Sequence, residues 1–223
     1  MPYECYGSMV GLEVNISHFP WNTNKEFQEV IAQIGDRTLV DPYRLYELWT
    51  LSQQVAKLSK GDYIEIGVWQ GGSGALIAHQ AAKYLPDSTV FLCDTFTGVP
   101  KATARDLYVG GEHANTSKAM VENLVSSMNL ANVQVLQGIF PEDTGSIVKD
   151  RTFRFAHIDV DVYQSAKDCN EWLWPRLCHG GVVVYDDYGH VPCGLTEYVD
   201  EQSVEPDRIT LYNLNGHAVV FKL

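Results

Sequence analysis

Apolar residues recur along this chain with two periods, and the change from one to the other divides it. From Asp41 to Leu58 the apolar positions Leu45, Leu48, Trp49, Val55 and Leu58 return at roughly helical spacing, and Pro42 suits a first helical turn. Residues 1–60 therefore read as a helical preamble or lid, ahead of a main domain over residues 61–223. Beyond the preamble, short apolar runs alternate with longer amphipathic stretches. The runs are Tyr63–Ile66, Thr89–Cys93, Val133–Leu136, Phe153–Ile158 and Val182–Tyr185. Helix candidates lie near Ser73–Tyr84, Ser117–Met128, Ser165–Leu177 and Leu195–Gln202. That rhythm predicts a parallel sheet covered by helices on both faces. The end of the chain departs from it: Arg208–Tyr212 and His217–Leu223 are strand-like and joined by a turn containing Asn215-Gly216, a hairpin signal. The expected fold class is α/β, a mostly parallel seven-stranded sheet closed by a C-terminal antiparallel hairpin.

Composition narrows the partners. A length of 223 residues fits one domain of this class with a full core. Asp plus Glu total 28 against 16 Lys plus Arg, a formal net charge of -12 that disfavours phosphate backbones and anionic membranes. Neither nucleic acid nor membrane is an expected partner. The cysteines Cys5, Cys93, Cys169, Cys178 and Cys193 are odd in number and form no CxxC pair, which predicts reduced thiols. No apolar run is long enough to span a bilayer, and Met1-Pro2-Tyr3-Glu4 does not resemble a signal peptide. A cytoplasmic location is the expectation.

In an open parallel sheet, ligands bind beyond the carboxyl ends of the strands, near the point where strand order reverses. The first run leads into Glu65-Ile66-Gly67-Val68-Trp69-Gln70-Gly71-Gly72-Ser73-Gly74, where glycines permit a tight turn and close approach of a ligand. Taken alone, this is also the sequence of an ordinary βα turn. The second run ends at Cys93-Asp94-Thr95-Phe96, placing a carboxylate where it could accept from both hydroxyls of a ribose; its plainer role is a helix N-cap. The spacing Gly67-x-x-x-Gly71, with Glu65 just before it, suits S-adenosylmethionine (SAM) better than the GxGxxG of dinucleotide binding.

The fourth and fifth runs end in acids: Asp159 and Asp161 in His157-Ile158-Asp159-Val160-Asp161-Val162-Tyr163, and Asp186 and Asp187 in Val184-Tyr185-Asp186-Asp187-Tyr188. Residues two apart on a strand share a face, so Asp159 and Asp161 can share a site, and neighbouring strands would bring all four carboxylates to one edge. That charge density calls for raised pKa values or a bound cation, and oxygen ligands favour Mg²⁺, Mn²⁺ or Ca²⁺. Loop-exposed acids and helix caps explain one such Asp more easily than two pairs. His113 and His190 fall in predicted loops as rival bases or as solvated surface, and His157 reads as structural. Tyr163 and Tyr188 could line a pocket or finish a core, while Trp172 and Trp174 read as packing residues.

Together with Gln137-Gly138-Ile139-Phe140-Pro141, these segments resemble, in order, the macrocin O-methyltransferase family, SAM-dependent enzymes that methylate sugar hydroxyls in natural-product biosynthesis. The resemblance implies a class I methyltransferase fold, with Mg²⁺ on Asp159, Asp186 and Asp187 and Asp161 as general base. It implies a cofactor site formed by Glu65, Gly67, Gly71, Ser73, Asp94, Thr95, Gly138 and Asp159, with Glu65 and Gly67 beside the amino-acid portion of SAM and Asp94 on the ribose. It further implies Thr38 and Arg44 in a lid, a small-molecule acceptor with adjacent hydroxyls, and a homo-oligomer. A catechol acceptor would present adjacent oxygens equally well. Asp159-Val160-Asp161-Val162 also fits the nucleophile motif of haloacid dehalogenase-type phosphotransfer enzymes, but that motif belongs on a first strand. A non-catalytic SAM-binding protein would need no base.

Overall fold

The structure, a computed structural model, describes residues 18–190 and 194–223. Cys5 and Cys193 lie outside the described residues; Cys93, Cys169 and Cys178 are free thiols. After a short helical turn, α1 (Pro20–Thr23), the helix α2 (Lys25–Ile34) starts where Asn24 accepts from the Phe27 amide, and it buries Phe27, Val30 and Ile34. Helix α3 (Pro42–Val55) starts at Asp41, whose side chain accepts from the amides of Tyr43 and Arg44, with Pro42 in the first turn. Its buried face is Leu45, Leu48, Trp49, Ser52 and Val55; the first, second, third and last of these belong to the stripe read from the sequence, whereas Leu58 falls beyond the end of the helix.

The sheet and its helices then alternate: β1 (Asp62–Ile66), α4 (Gly72–Tyr84), β2 (Val90–Asp94), α5 (Lys118–Ser127), β3 (Val133–Gln137), β4 (Phe153–Ile158), α6 (Tyr163–Leu173), β5 (Leu177–Tyr185), α7 (Gly194–Ser203), β6 (Arg208–Tyr212) and β7 (Ala218–Lys222). Strand order is β3-β2-β1-β4-β5-β7-β6, with β1 to β5 parallel and β7 antiparallel to both β5 and β6. This is the seven-stranded α/β sheet with a terminal hairpin that the pattern predicts. The chain runs outward from β1 in one direction and from β4 in the other, so the switch point falls between β1 and β4.

Some boundaries differ from those expected. The helix expected over Ser165–Leu177 ends at Leu173, because Pro175 cannot continue it and sits in a 3₁₀ turn, Trp174–Arg176. Strand β5 begins at Leu177, earlier than Val182, and its ladder with β4 shifts register between Phe153 and Phe155. The polar and glycine residues His179, Gly180 and Gly181 hide that first part of the strand from any apolar pattern.

Each sheet face has its own core. Phe27, Leu48, Leu76, Tyr63, Leu92, Phe155, Val184 and Val219 belong to one, which thereby joins α2, α3 and α4 to the sheet. Ile64, Phe91, Ala156, Leu173, Val183 and Tyr198 belong to the other, under α6 and α7. Among the described residues, no helix is long and apolar enough to cross a membrane.

Candidate active site

The glycine turn between β1 and α4 is shaped by its neighbours. Gly67 (φ +86°) donates its amide to the Cys93 carbonyl at 2.9 Å, and a Cβ there would overlap the carbonyl oxygen of Asp159. Only glycine lets the ends of β1 and β4 approach so closely. Gly67→Ala is therefore expected to lower unfolding stability by about 3 kcal/mol, combining overlap with left-handed strain. Denaturant melts of the two proteins check this; equal midpoints would contradict the packing. Gly71 (φ +91°) precedes α4, and a Cβ there would press on Val121.

Asp94 ends β2 and organises this turn. Its Oδ2 accepts from the amides of Val68 and Trp69, each at 2.9 Å, and its Oδ1 accepts from Phe96 at 2.7 Å. Burial raises its carboxyl, opposed by these three amides. Asp94 does not serve as a helix N-cap: the next helix is α5, capped by Ser117. Thr95 Oγ1 donates to the Gly98 carbonyl at 2.8 Å and so closes the following loop. Gly138 (φ +142°), after β3, donates to the Asp94 carbonyl at 2.9 Å. Ser73 is buried in the first turn of α4.

Glu65 is buried within the sheet. Its Oε1 lies 2.7 Å from His157 Nδ1 on the adjacent strand, where the two residues are register partners. Glu65 Oε2 and His157 Nε2 have no hydrogen-bond partner among the described residues. The missing side chain of Gly74 leaves room for Glu65 Oε2 under the start of α4.

The four aspartates follow the ends of β4 and β5, next to the switch point, with Asp159, Asp161 and Asp187 in one group and Asp186 grouped instead with His157 and His217. Asp159 donates its amide to the Ile66 carbonyl at 2.9 Å, and Asp186 donates to Ile158 at 3.0 Å, so backbone hydrogen bonds knit the ends of β1, β4 and β5. Carboxylate oxygens of Asp159, Asp161 and Asp187 lie within 4.8 Å of one another. Strand alternation is not what joins them, because β4 ends at Ile158. The pairing comes from left-handed turns at Asp161 (φ +64°) and Asp187 (φ +59°), a conformation that Asp tolerates better than most residues. Burial first, then the neighbouring acids, pushes the Asp159 and Asp161 carboxyls well above their usual range.

Asp186 has a different environment. Arg44 Nη1 donates to its Oδ1 at 2.5 Å, and His217 Nε2 lies 2.9 Å from the same oxygen. Burial alone would raise this carboxyl, but His217 and Arg44 outweigh it and hold Asp186 well below the usual range. Arg44 is also 3.6 Å from Asp187, so the preamble helix α3 reaches the acid cluster. Thr38 lies near the start of α4: Gly72 donates to the Arg37 carbonyl at 2.8 Å, and a Cβ on Gly72 would strike Thr38.

His217 and Glu47 are absent from the sequence reading. His217 looks like the first residue of an edge strand, and Glu47 like a solvated helix position; nothing local marks either. Of the rival bases, His190 is half exposed, 3.2 Å from Asp187, and raised by that contact. His113 Nε2 lies 3.2 Å from the Tyr108 hydroxyl. Tyr163 and Tyr188 donate their hydroxyls to Glu201 and Asp200, both on α7. Trp172 and Trp174 pack in the core beneath α6 and α7.

Comparison with known proteins places this arrangement. A family profile described as macrocin O-methyltransferase (TylF) matches residues 32–222. The chain is 31% identical over 170 residues to demethyldecarbamoylnovobiocin O-methyltransferase of Streptomyces niveus, covering 68% of this chain and 63% of that protein. It is 32% identical over 172 residues to mycinamicin III 3''-O-methyltransferase of Micromonospora griseorubida, covering 68% of this chain and 67% of that protein. The match thus spans about two thirds of the length of these relatives. The solved O-methyltransferase NovP has the same fold, with a TM-score of 0.71 at 24% identity over 84% of this chain and 82% of that one. Matched along nearly its whole described length, the chain belongs to the macrocin O-methyltransferase family.

Proposed function

We propose that this protein transfers a methyl group from SAM to a hydroxyl of a sugar on a natural product, with Mg²⁺ held by Asp159, Asp186 and Asp187 and Asp161 as general base. The observation that carries the reading is the convergence of the Asp159, Asp161 and Asp187 carboxylates, with Asp186 next to Asp187 in the chain, near the switch point of the sheet in a chain of the macrocin O-methyltransferase family. The donor set fits a hard divalent cation: it is all oxygen, and burial and then the neighbouring acids raise the carboxyls of Asp159 within it and of Asp161 beside it, a crowding that a cation would relieve.

SAM supplies an electrophilic methyl on sulfur, and the chain's part is to place an acceptor oxygen in line behind it. The amides and glycines of residues 67–72 form the surface on which the amino-acid portion would rest, shaped from behind by Asp94. The same aspartate would accept from the ribose hydroxyls through the lone pairs that those amides leave free. A bound divalent ion would supply positive charge to orient two adjacent hydroxyls and stabilise a developing alkoxide. Asp161 accepts the acceptor proton, and its half-buried, acid-crowded setting makes it more basic than an exposed Asp. The loop between β2 and α5 is pinned at the site, with Asp106 accepting from the Tyr163 amide at 2.9 Å, and it exposes Leu107 and Val109 as an apolar surface for an acceptor.

The test is turnover of labelled SAM with panels of glycosides, nucleotide sugars and catechols, with Mg²⁺ and with chelator. Methylated glycoside with stoichiometric S-adenosylhomocysteine is expected, falling at least about 100-fold on chelation. Turnover indifferent to chelator would remove the metal from the reading. Methylation confined to catechols would remove the sugar.

A further inference from the structure

Helix α3 and the turn between β6 and β7 make a second set of contacts behind the acid cluster, buried at His217 and Asp186 and partly exposed at Glu47 and Asp41. His217 is fully buried; its Nδ1 lies 2.6 Å from Glu47 Oε2 and its Nε2 2.9 Å from Asp186 Oδ1. Asn213 holds the other two members in place, donating from Nδ2 to Glu47 Oε2 at 2.8 Å and accepting the His217 amide at 3.0 Å. On the far side of Asp186, Arg44 donates to the same Oδ1 at 2.5 Å while its Nε donates to Asp41 at 2.7 Å. Asn215 closes the frame by donating to Asp41 at 3.2 Å. The His157 ring packs edge-on against His217 at 5.8 Å.

We propose that His217, anchored by Glu47 of α3, is a positioning residue that fixes the Asp186 carboxylate for cation binding. The proposal rests on the metal reading above. An aspartate at a strand end can turn about its last side-chain bond, and its two oxygens are equivalent until something distinguishes them. Here Arg44 and His217 both engage Oδ1 from different elements, which sets the rotation of the group. The imidazole is a rigid spacer, hydrogen-bonded to Glu47 through Nδ1 and in ion-pair contact with Asp186 through Nε2, so it carries the place of Glu47 to Asp186. Strand periodicity explains how the members share one face. His157 and Glu65 are register partners, Asp186 lies two residues beyond Val184, and His217 lies two before Val219. Partners of this outer kind typically change metal affinity by about 10- to 100-fold when removed.

The experiment measures Mn²⁺ binding by electron paramagnetic resonance on the full chain, without SAM or acceptor, and SAM binding separately by calorimetry. His217→Leu is expected to weaken Mn²⁺ by about 10-fold or more, with SAM affinity unchanged. His217→Gln, which keeps a donor at that place, is expected to recover to within about fivefold of the parent. Unchanged Mn²⁺ affinity in folded His217→Leu overturns the proposal. So does a parallel loss of SAM and Mn²⁺ binding, the mark of a merely structural role. If His217→Leu does not fold, Glu47→Gln, a milder change at a partly exposed residue, is judged by the same two readings. A parent that binds no Mn²⁺ overturns the metal reading and the proposal with it, whereas a parent that binds beside variants that bind equally overturns the proposal alone.

Discussion

Asp161→Asn is expected to lower kcat by about 10² to 10⁴ while SAM affinity stays at the parent's value. Asn is the informative substitution because Asp161 sits at φ +64°, a left-handed conformation that Asn shares with Asp and that alanine would strain. The change removes the proton acceptor and keeps the backbone conformation. Direction also follows for the pH profile. Burial, then Asp187, raises the Asp161 carboxyl well above its ordinary value, so the ionised base is the minority form in acid. The parent's rate should climb as pH rises through that ionisation, and the variant's residual rate should lack the same limb. A variant within tenfold of the parent in kcat, or one with an unchanged profile, would transfer the proton to another group, with His190 beside Asp187 the first to try.

Adding Mg²⁺ should raise the melting temperature, and more so at pH 8 than at pH 5. The sign comes from the raised carboxyls. Asp159 and Asp161 are easier to keep protonated in the folded chain than in the unfolded one, so the stability they contribute is present in acid and lost as pH rises through their folded values. A divalent cation removes that loss by pairing with the ionised forms. At a concentration 100 times its dissociation constant it stabilises by about 2.7 kcal/mol, or about 5 to 10 °C for a domain of this size. Asp186 runs the other way. Its carboxyl is held low by His217 and Arg44, so its contribution is present at neutral pH and lost only on strong acidification. Asp187→Asn should abolish most of the Mg²⁺ effect. A melting temperature unmoved by Mg²⁺ at both pH values would leave the acid cluster without its cation.

Much of this could be read along the chain. Amphipathic stripes and apolar runs are local properties, and they sufficed for α3, for the alternation of strands and helices and for the closing hairpin. The exceptions have local causes too: Pro175 cut a helix short, and glycines in the early part of β5 masked a strand. Acids at the ends of the fourth and fifth runs stood out because charge crowding is visible in sequence once neighbouring strands are assumed. The reason they meet was misjudged, since left-handed turns after the strands, and not the pleat, bring Asp159, Asp161 and Asp187 together.

By itself the sequence determined the α/β class, the glycine turn and the two acidic strand ends, because each depends on residues close together in the chain. Only the tertiary structure decided that Asp94 spends its oxygens on the backbone of that turn, and that Glu65 is buried against His157. It alone set Asp186 apart from the other acids. The residues responsible, Arg44 and His217, come from α3 and from the final turn, and Arg44 stands 142 positions away in sequence. Electrostatic contacts act through space and leave no periodic trace, so a pairing of that range is invisible until the chain has folded around it.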